Sequence, residues 1–173
     1  MAKAALKQTP KAGSPQSGPA FSGEVTVNEV TVKWDDMTVG DWKNLLATAP
    51  RSNLLQTWAY AKTNLMLYRM WPKFGVFYQG ETPVAMALVT TRRIFGFEAV
   101  RIHRAPVWLV ETPSPKLVTE VLQKLRAVYP AKWSRRVSFL PELPATPKTD
   151  ELLLKAGFAQ RQGKSGGHYY TSS

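Results

Sequence analysis

The amino-acid sequence predicts an α/β (α+β) domain built on one mixed, mostly antiparallel sheet with helices on both faces. Three observations predict it. Between Arg69 and Leu109, apolar residues alternate with small or polar ones and are interrupted by two turn sequences, the pattern of an antiparallel meander. On either side of that block the apolar spacing changes to the 3.6-residue period of amphipathic helices. After it, a strand, helix, strand succession supplies a crossover, so the sheet is mixed and needs helices to cover it. No internal repeat is present.

The first 22 residues are rich in Ala, Lys, Pro, Gly and Ser, contain no acidic residue and have no apolar period, and so predict a flexible basic tail. Residues 23–173 are expected to form a single domain. Val25, Val27, Val30 and Val32 place a first strand over Glu24 to Trp34, with a slip in the alternation near Asn28. Thr38 can cap a helix carrying Trp42, Leu45 and Leu46 that stops near Pro50. Ser52 or Asn53 is the expected cap of a second helix, whose apolar face would run through Leu54, Leu55, Trp58, Ala61 and Leu65.

Phe74, Val76 and Tyr78 mark the next strand, Gln79-Gly80-Glu81 a turn, and Val84 to Thr91 its hairpin partner. Phe95-Gly96-Phe97 makes a further corner into a strand through Val100, Ile102 and Val107 to Val110. Pro106 predicts a bulge there, because proline has no N–H for the ladder. A helix beginning at Pro113-Ser114-Pro115 carries Leu117, Val118, Val121, Leu122, Leu125 and Val128 on one face. A short strand follows at Val137 to Leu140. A last helix is expected to start at Thr149 or Asp150 and close at Gly157, before a strand containing His168, Tyr169 and Tyr170.

Composition bounds the chemistry. With 173 residues, 44% of them hydrophobic, the chain can bury one substantial core. Zero cysteines exclude disulfides, thiolate metal sites and a cysteine nucleophile, and two histidines supply few other ligands, so no metal site is expected. No apolar run approaches the roughly 20 residues that span a bilayer, and the N-terminus lacks the apolar segment of a secretory leader. A cytoplasmic protein is expected. The formal net charge of +11 favours phosphates, nucleic acid or anionic surfaces, but equally describes a solvated basic surface.

Three segments carry a more specific signal: Ser52-Asn53-Leu54-Leu55-Gln56-Thr57-Trp58-Ala59-Tyr60, then Gly80-Glu81-Thr82-Pro83-Val84-Ala85, then Arg101-Ile102-His103-Arg104-Ala105-Pro106-Val107-Trp108-Leu109. Together with the element order and the helix, Gly157, Phe158 turn, they resemble the GCN5-related N-acetyltransferase (GNAT) superfamily. Within it they resemble the N-terminal half of the FemAB-like branch, whose members add amino acids to peptidoglycan precursors or transfer other acyl groups. The resemblance implies an acyltransferase-type domain that moves an aminoacyl or acetyl group to an amine, with acyl-CoA or aminoacyl-tRNA as donor substrate and no cofactor of its own. Members of that branch carry two copies of the fold. The resemblance therefore implies that a chain ending at Ser173 needs a second transferase half, or self-association, to be active.

One departure concerns the donor. Where acyl-CoA enzymes of the superfamily have a glycine-rich turn for the pyrophosphate, this chain reads Val110-Glu111-Thr112-Pro113-Ser114-Pro115-Lys116-Leu117, with no glycine, two prolines and a glutamate.

Among candidate binding residues Arg104 comes first, because a guanidinium can clamp a carboxylate or phosphate in bidentate fashion. His103, Arg101, Arg92 and Arg93 would lie near it. The alternative is a salt-bridged or solvated strand surface. Gln56 and Tyr60 could line a cleft or serve as cap and surface, while Trp58 and Trp108 read as packing residues. No catalytic residue can be assigned: Glu81, Asp35, Asp36 and Glu142 lack an evident tuning partner, and His168, Ser165 and Ser172 lack a positioned one. The competing functional class is a non-catalytic module whose basic surface holds RNA, including tRNA, or an anionic cell-wall precursor.

Overall fold

The computed structural model describes residues 29–130, 132–160 and 169–171. The tail, Glu24 to Asn28, Ser165, His168 and Ser172 lie outside the described residues. Within them the chain runs β1 (Val30–Trp34), α1 (Val39–Ala47), a 3-10 turn (Leu54–Gln56), α2 (Trp58–Tyr68), β2 (Trp71–Gln79), β3 (Thr82–Ile94), β4 (Phe97–Ala105) and β5 (Val107–Trp108). It continues through α3 (Pro115–Val128), β6 (Arg135–Pro141), α4 (Pro147–Lys155), β7 (Ala159–Gln160) and β8 (Tyr169–Thr171). The strands form one sheet in the order β1-β2-β3-β4-β6-β8-β7, with β5 paired to β3. The β4–β6 pairing is parallel and the others are antiparallel. This is the mixed, mostly antiparallel α/β sheet that the sequence predicts.

Local chemistry explains most boundaries. Thr38 caps α1 in a reciprocal box: its hydroxyl accepts from the Asp41 N–H while the Asp41 carboxylate accepts from the Thr38 N–H. Ser114 caps α3, and Pro115 occupies the first helical position, where no backbone donor is needed. The end of α4 is a Schellman turn, with Phe158 N–H on the Leu153 carbonyl and Gly157 N–H on that of Leu154. Gly157 supplies the positive φ of 86° that this turn requires.

Three expectations are corrected. The second helix does not start at Ser52 or Asn53. Leu54–Gln56 form a separate 3-10 turn, and Thr57 caps α2 by accepting from the Tyr60 N–H. The last helix starts two to three residues earlier than expected, at Pro147, because Thr146 accepts from the Thr149 N–H and proline fits the first turn. The irregularity expected at Pro106 lies around it: Arg104 is the extra residue against β6, the Ala105–Pro106 peptide is cis, and the chain resumes as a separate strand on β3.

Both faces of the sheet carry helices. On one, Leu117, Val118, Val121, Leu122 and Leu125 of α3 and Leu153 of α4 pack against Phe77, Val89, Val100, Ile102, Val137 and Phe139. Each such side chain contributes about 1.5–3 kcal/mol on leaving water. On the other, Trp42 and Leu46 of α1 and Ala61 of α2 cover Phe74, Val76, Met86 and Leu88. Trp58, expected as core, stacks on Phe74 at 5.0 Å at the edge of this cluster. The α1/α2 layer covers β2 and the inner part of β3. Beyond it, on β4 and the outer β3, Arg92, Ile94, Phe97, Ala99 and Arg101 are exposed.

Candidate binding site at the distorted strand β4

The site begins with a break in the ladder. β3 and β4 pair from Ile94↔Phe97 to Val89↔Ile102, after which β3 next pairs with β5 at Met86↔Val107. Leu88, between them, would be left with backbone groups facing a gap in a buried sheet, which costs about 1–3 kcal/mol per unpaired group.

The side chain of Gln56 fills that gap. Its Oε1 accepts from the Leu88 N–H at 2.6 Å, while its Nε2 donates to the carbonyls of His103 at 2.7 Å and Leu88 at 3.4 Å. The Gln56 carbonyl in turn accepts from Trp42 Nε1 at 3.0 Å. Gln56 is fully buried, so its amide acts as a short substitute strand between β3 and β4. One 3-10 turn earlier, Asn53 Nδ2 donates to the Arg104 carbonyl at 3.0 Å. Two amides three residues apart thus clamp the carbonyls of His103 and Arg104.

That clamp accompanies the strain at Arg104, whose φ of 55° lies in the left-handed region. The register against β6 jumps from His103↔Leu140 to Ala105↔Pro141, which bulges Arg104 out of the ladder. Its guanidinium bonds the Glu142 carboxylate at 3.2 and 3.4 Å, with 53% of the arginine side chain exposed. Such a half-exposed pair adds little stability and can exchange partners with an incoming anion.

The structure brings Tyr60, Arg101 and His103 together around a shallow depression of about 10 Å³, room for a single water, completed by Leu55, Leu88 and Thr90. Arg104 sits beside this depression on the bulge, and Gln56 lies beneath it with its amide bound to backbone. Arg92 follows Thr90 on the same sheet face. Arg93 turns to the other face and bonds Glu98 at 3.4 Å. Sequence reasoning missed Asn53 as a clamp and found no partner for Glu142. Their partners are 51 and 38 residues away, so no local spacing announces them.

Glu98 was also missed. Burial pushes its carboxyl up, but the hydrogen bond and charge of Arg135 at 2.5 Å, reinforced by Arg93, outweigh that and hold it below the usual carboxylate range. It is an ion-paired strut between β4 and β6. Among the described residues, no group of three His, Cys, Asp or Glu could hold a metal ion, and no helix is long and apolar enough to cross a membrane.

The start of α3 is a poor cradle for a pyrophosphate. Pro115 has no N–H, and the Leu117 N–H is taken by Ser114 Oγ at 3.2 Å. The residues present do not fit that group.

The mixed sheet with a bulged β4, a parallel β4–β6 pair and helices on both sides is GNAT-like in fold. The solved structures similar to this chain bear this out. FemX matches with a TM-score of 0.60 and 14% identity over 78% of this chain, which spans 34% of FemX, about a third of its length. The aminoglycoside acetyltransferase AAC(6')-Ib in complex with coenzyme A matches at 0.53 and 16% identity, over 82% of this chain and 92% of that one. The same enzyme with coenzyme A and kanamycin matches at 0.52. At these identities the likeness is one of fold. No family model matches the chain, and no curated protein sequence matches it.

Proposed function

We propose that this chain is an acyl-transfer domain of the FemAB-like type that supplies the acceptor side of the reaction. A second copy of the fold would hold the donor. The observation that carries this reading is the clamped β4 bulge: two amides from one 3-10 turn fix the backbone of His103 and Arg104 beside a shallow depression lined by Tyr60, Arg101 and His103, so that an acceptor would lie over the surface rather than within a pocket. Arg104 and Arg101 suit an anionic acceptor such as a peptidoglycan precursor, with Arg104 trading Glu142 for the ligand. The likeness in fold to FemX, about a third of which this chain spans, supports the FemAB-like part of this reading.

The chemistry would be attack of the acceptor amine on an activated acyl carbon, with loss of the donor's leaving group and of the amine proton. This chain would bind and orient the acceptor. No donor step is assigned to the start of α3.

The test is acyl transfer from labelled acyl-CoA and aminoacyl-tRNA, measured for the chain alone and with any product of the adjoining reading frame. Transfer only in the combined reaction is expected. Absence of transfer in both arrangements would sink the transferase reading.

One observation favours a second reading, a module that binds RNA or an anionic precursor without catalysis: the exposed sheet face beside the depression is basic, with Arg92, Arg101 and Arg136 on it. Mobility-shift measurements across a salt series separate the two. Steep loss of RNA binding with salt supports the module; no RNA binding at low salt removes it.

A further inference from the structure

The β3–β4 hairpin overhangs the sheet. β2 ends its pairing at Trp71↔Thr91, yet β3 and β4 continue through Arg92↔Ala99, Arg93↔Glu98 and Ile94↔Phe97 with nothing of β2 beside them. Its two-residue turn, Phe95-Gly96, has φ values of 47° and 84°, positive at both positions as type I′ turns require.

Glycine suits such a position and asparagine suits the one before it, whereas a bulky phenylalanine in the left-handed region is disfavoured. Phe95 is also 98% exposed, so its ring gains no burial to offset that cost. Two independent local rules are broken at one residue, and the fold itself gains nothing from either. Such violations belong to sites that serve a partner.

The surroundings say what kind of partner. Phe97 is exposed at the base of the turn and meets the exposed Trp133 edge-on at 5.7 Å. On the other flank an open cleft of about 690 Å³ is lined by Trp71, Ile94 and Phe95 together with Arg69, Arg92 and Arg93. The one carboxylate lining it, Glu98, is bonded to Arg135 and Arg93. The end of the molecule is therefore aromatic at its apex and cationic at its shoulders, the arrangement that suits the boundary between headgroups and acyl chains.

We propose that this hairpin is a membrane-docking element. Phe95 and Phe97 enter the interface of an anionic lipid surface, and Arg69, Arg92 and Arg93 hold the lipid phosphates. This goes beyond the acyl-transfer reading and does not depend on it. A second copy is a poor occupant, because two arginine-rich tips from chains of net charge +11 repel one another. RNA is the competing occupant, because Phe95, Phe97 and Trp71 have faces on which bases can stack beside the same arginines; the aliphatic Ile94 next to the apex favours lipid, and the experiment separates the two.

The experiment is co-sedimentation of the full chain with vesicles of phosphatidylcholine alone and of phosphatidylcholine with about one third phosphatidylglycerol. Binding to the anionic vesicles and not to the neutral ones is expected. Phe95→Asn keeps a residue tolerant of positive φ, so its thermal midpoint should be unchanged or raised while partition falls about tenfold. The basic tail attracts anionic lipid equally in both proteins and cancels from that ratio. Arg92→Ala with Arg93→Ala should weaken partition and flatten its salt dependence. Equal partition of the Phe95→Asn protein and the parent would overturn the proposal, as would failure of the parent to bind anionic vesicles. So would retention of a short single-stranded RNA that is lost with Phe95→Asn, since that assigns the tip to nucleic acid.

Discussion

The two faces of this sheet are finished differently. On the α3/α4 face, side chains from Phe77 on β2 to Phe139 on β6 lie under helices, and Phe139 meets Phe158 at 4.5 Å. On the α1/α2 face the cover stops over β3, and what would be core further out is Arg92, Ala99 and Arg101 in water. The covered face accounts for stability. The uncovered one, together with the clamped bulge at its inner margin, accounts for the candidate site.

The largest expected effect lies on the covered face. Leu122→Ala removes a fully buried side chain between α3 and the sheet and should cost about 2–5 kcal/mol in chemical denaturation. It should leave any ligand affinity of the surviving folded fraction unchanged. A similar loss of affinity would break the division between the faces.

Gln56→Ala comes next, at the border between the two. Without the amide, the Leu88 N–H and the His103 carbonyl lose their partners, an expected cost of about 2–4 kcal/mol by denaturation. Gln56→Leu fills the same space without those bonds and should not recover the loss. Full recovery would mean that Gln56 acts by packing alone.

Glu98→Gln sharpens the comparison by pH. The folded-state carboxyl lies below its ordinary value, so its contribution is present above the ordinary carboxylate range and fades as pH falls through the lowered one. Denaturation midpoints from about pH 7 to about pH 3 should therefore fall less steeply in the variant than in the parent. Parallel curves would contradict the role of Arg135 in holding that charge.

Arg104→Ala should barely alter stability, by about 1 kcal/mol at most, because its pair with Glu142 is half exposed. Its expected effect is on anionic ligand affinity, which should fall about tenfold or more.

What the sequence made legible, and what it hid, divides along the same line. The apolar stripe of α3, the Thr38 cap, the Ser114-Pro115 start and the meander are local patterns, and each appears where its residues predict. The second helix start was misplaced because Asn53 and Thr57 are both good caps. The choice between them is made by tertiary structure: Gln56 must turn inward to serve Leu88, and Asn53 is drawn to Arg104. Arg104 was singled out for its chemistry, while its left-handed backbone, its bulge and its Glu142 partner depend on β6 and could not be read from its neighbours. Phe95-Gly96 was legible as a corner, but its exposure was not.

The most direct test of the proposed role is a backbone-amide NMR titration of the chain with a soluble uridine-diphosphate-linked muramyl pentapeptide, an anionic peptidoglycan precursor. Saturable shifts at Tyr60, Thr90, Arg101 to Ala105 and Glu142, abolished by Arg104→Ala, are the expected result. Saturable shifts confined to Ser114 through Val118 and the α3 face, or no shifts at all, would contradict it.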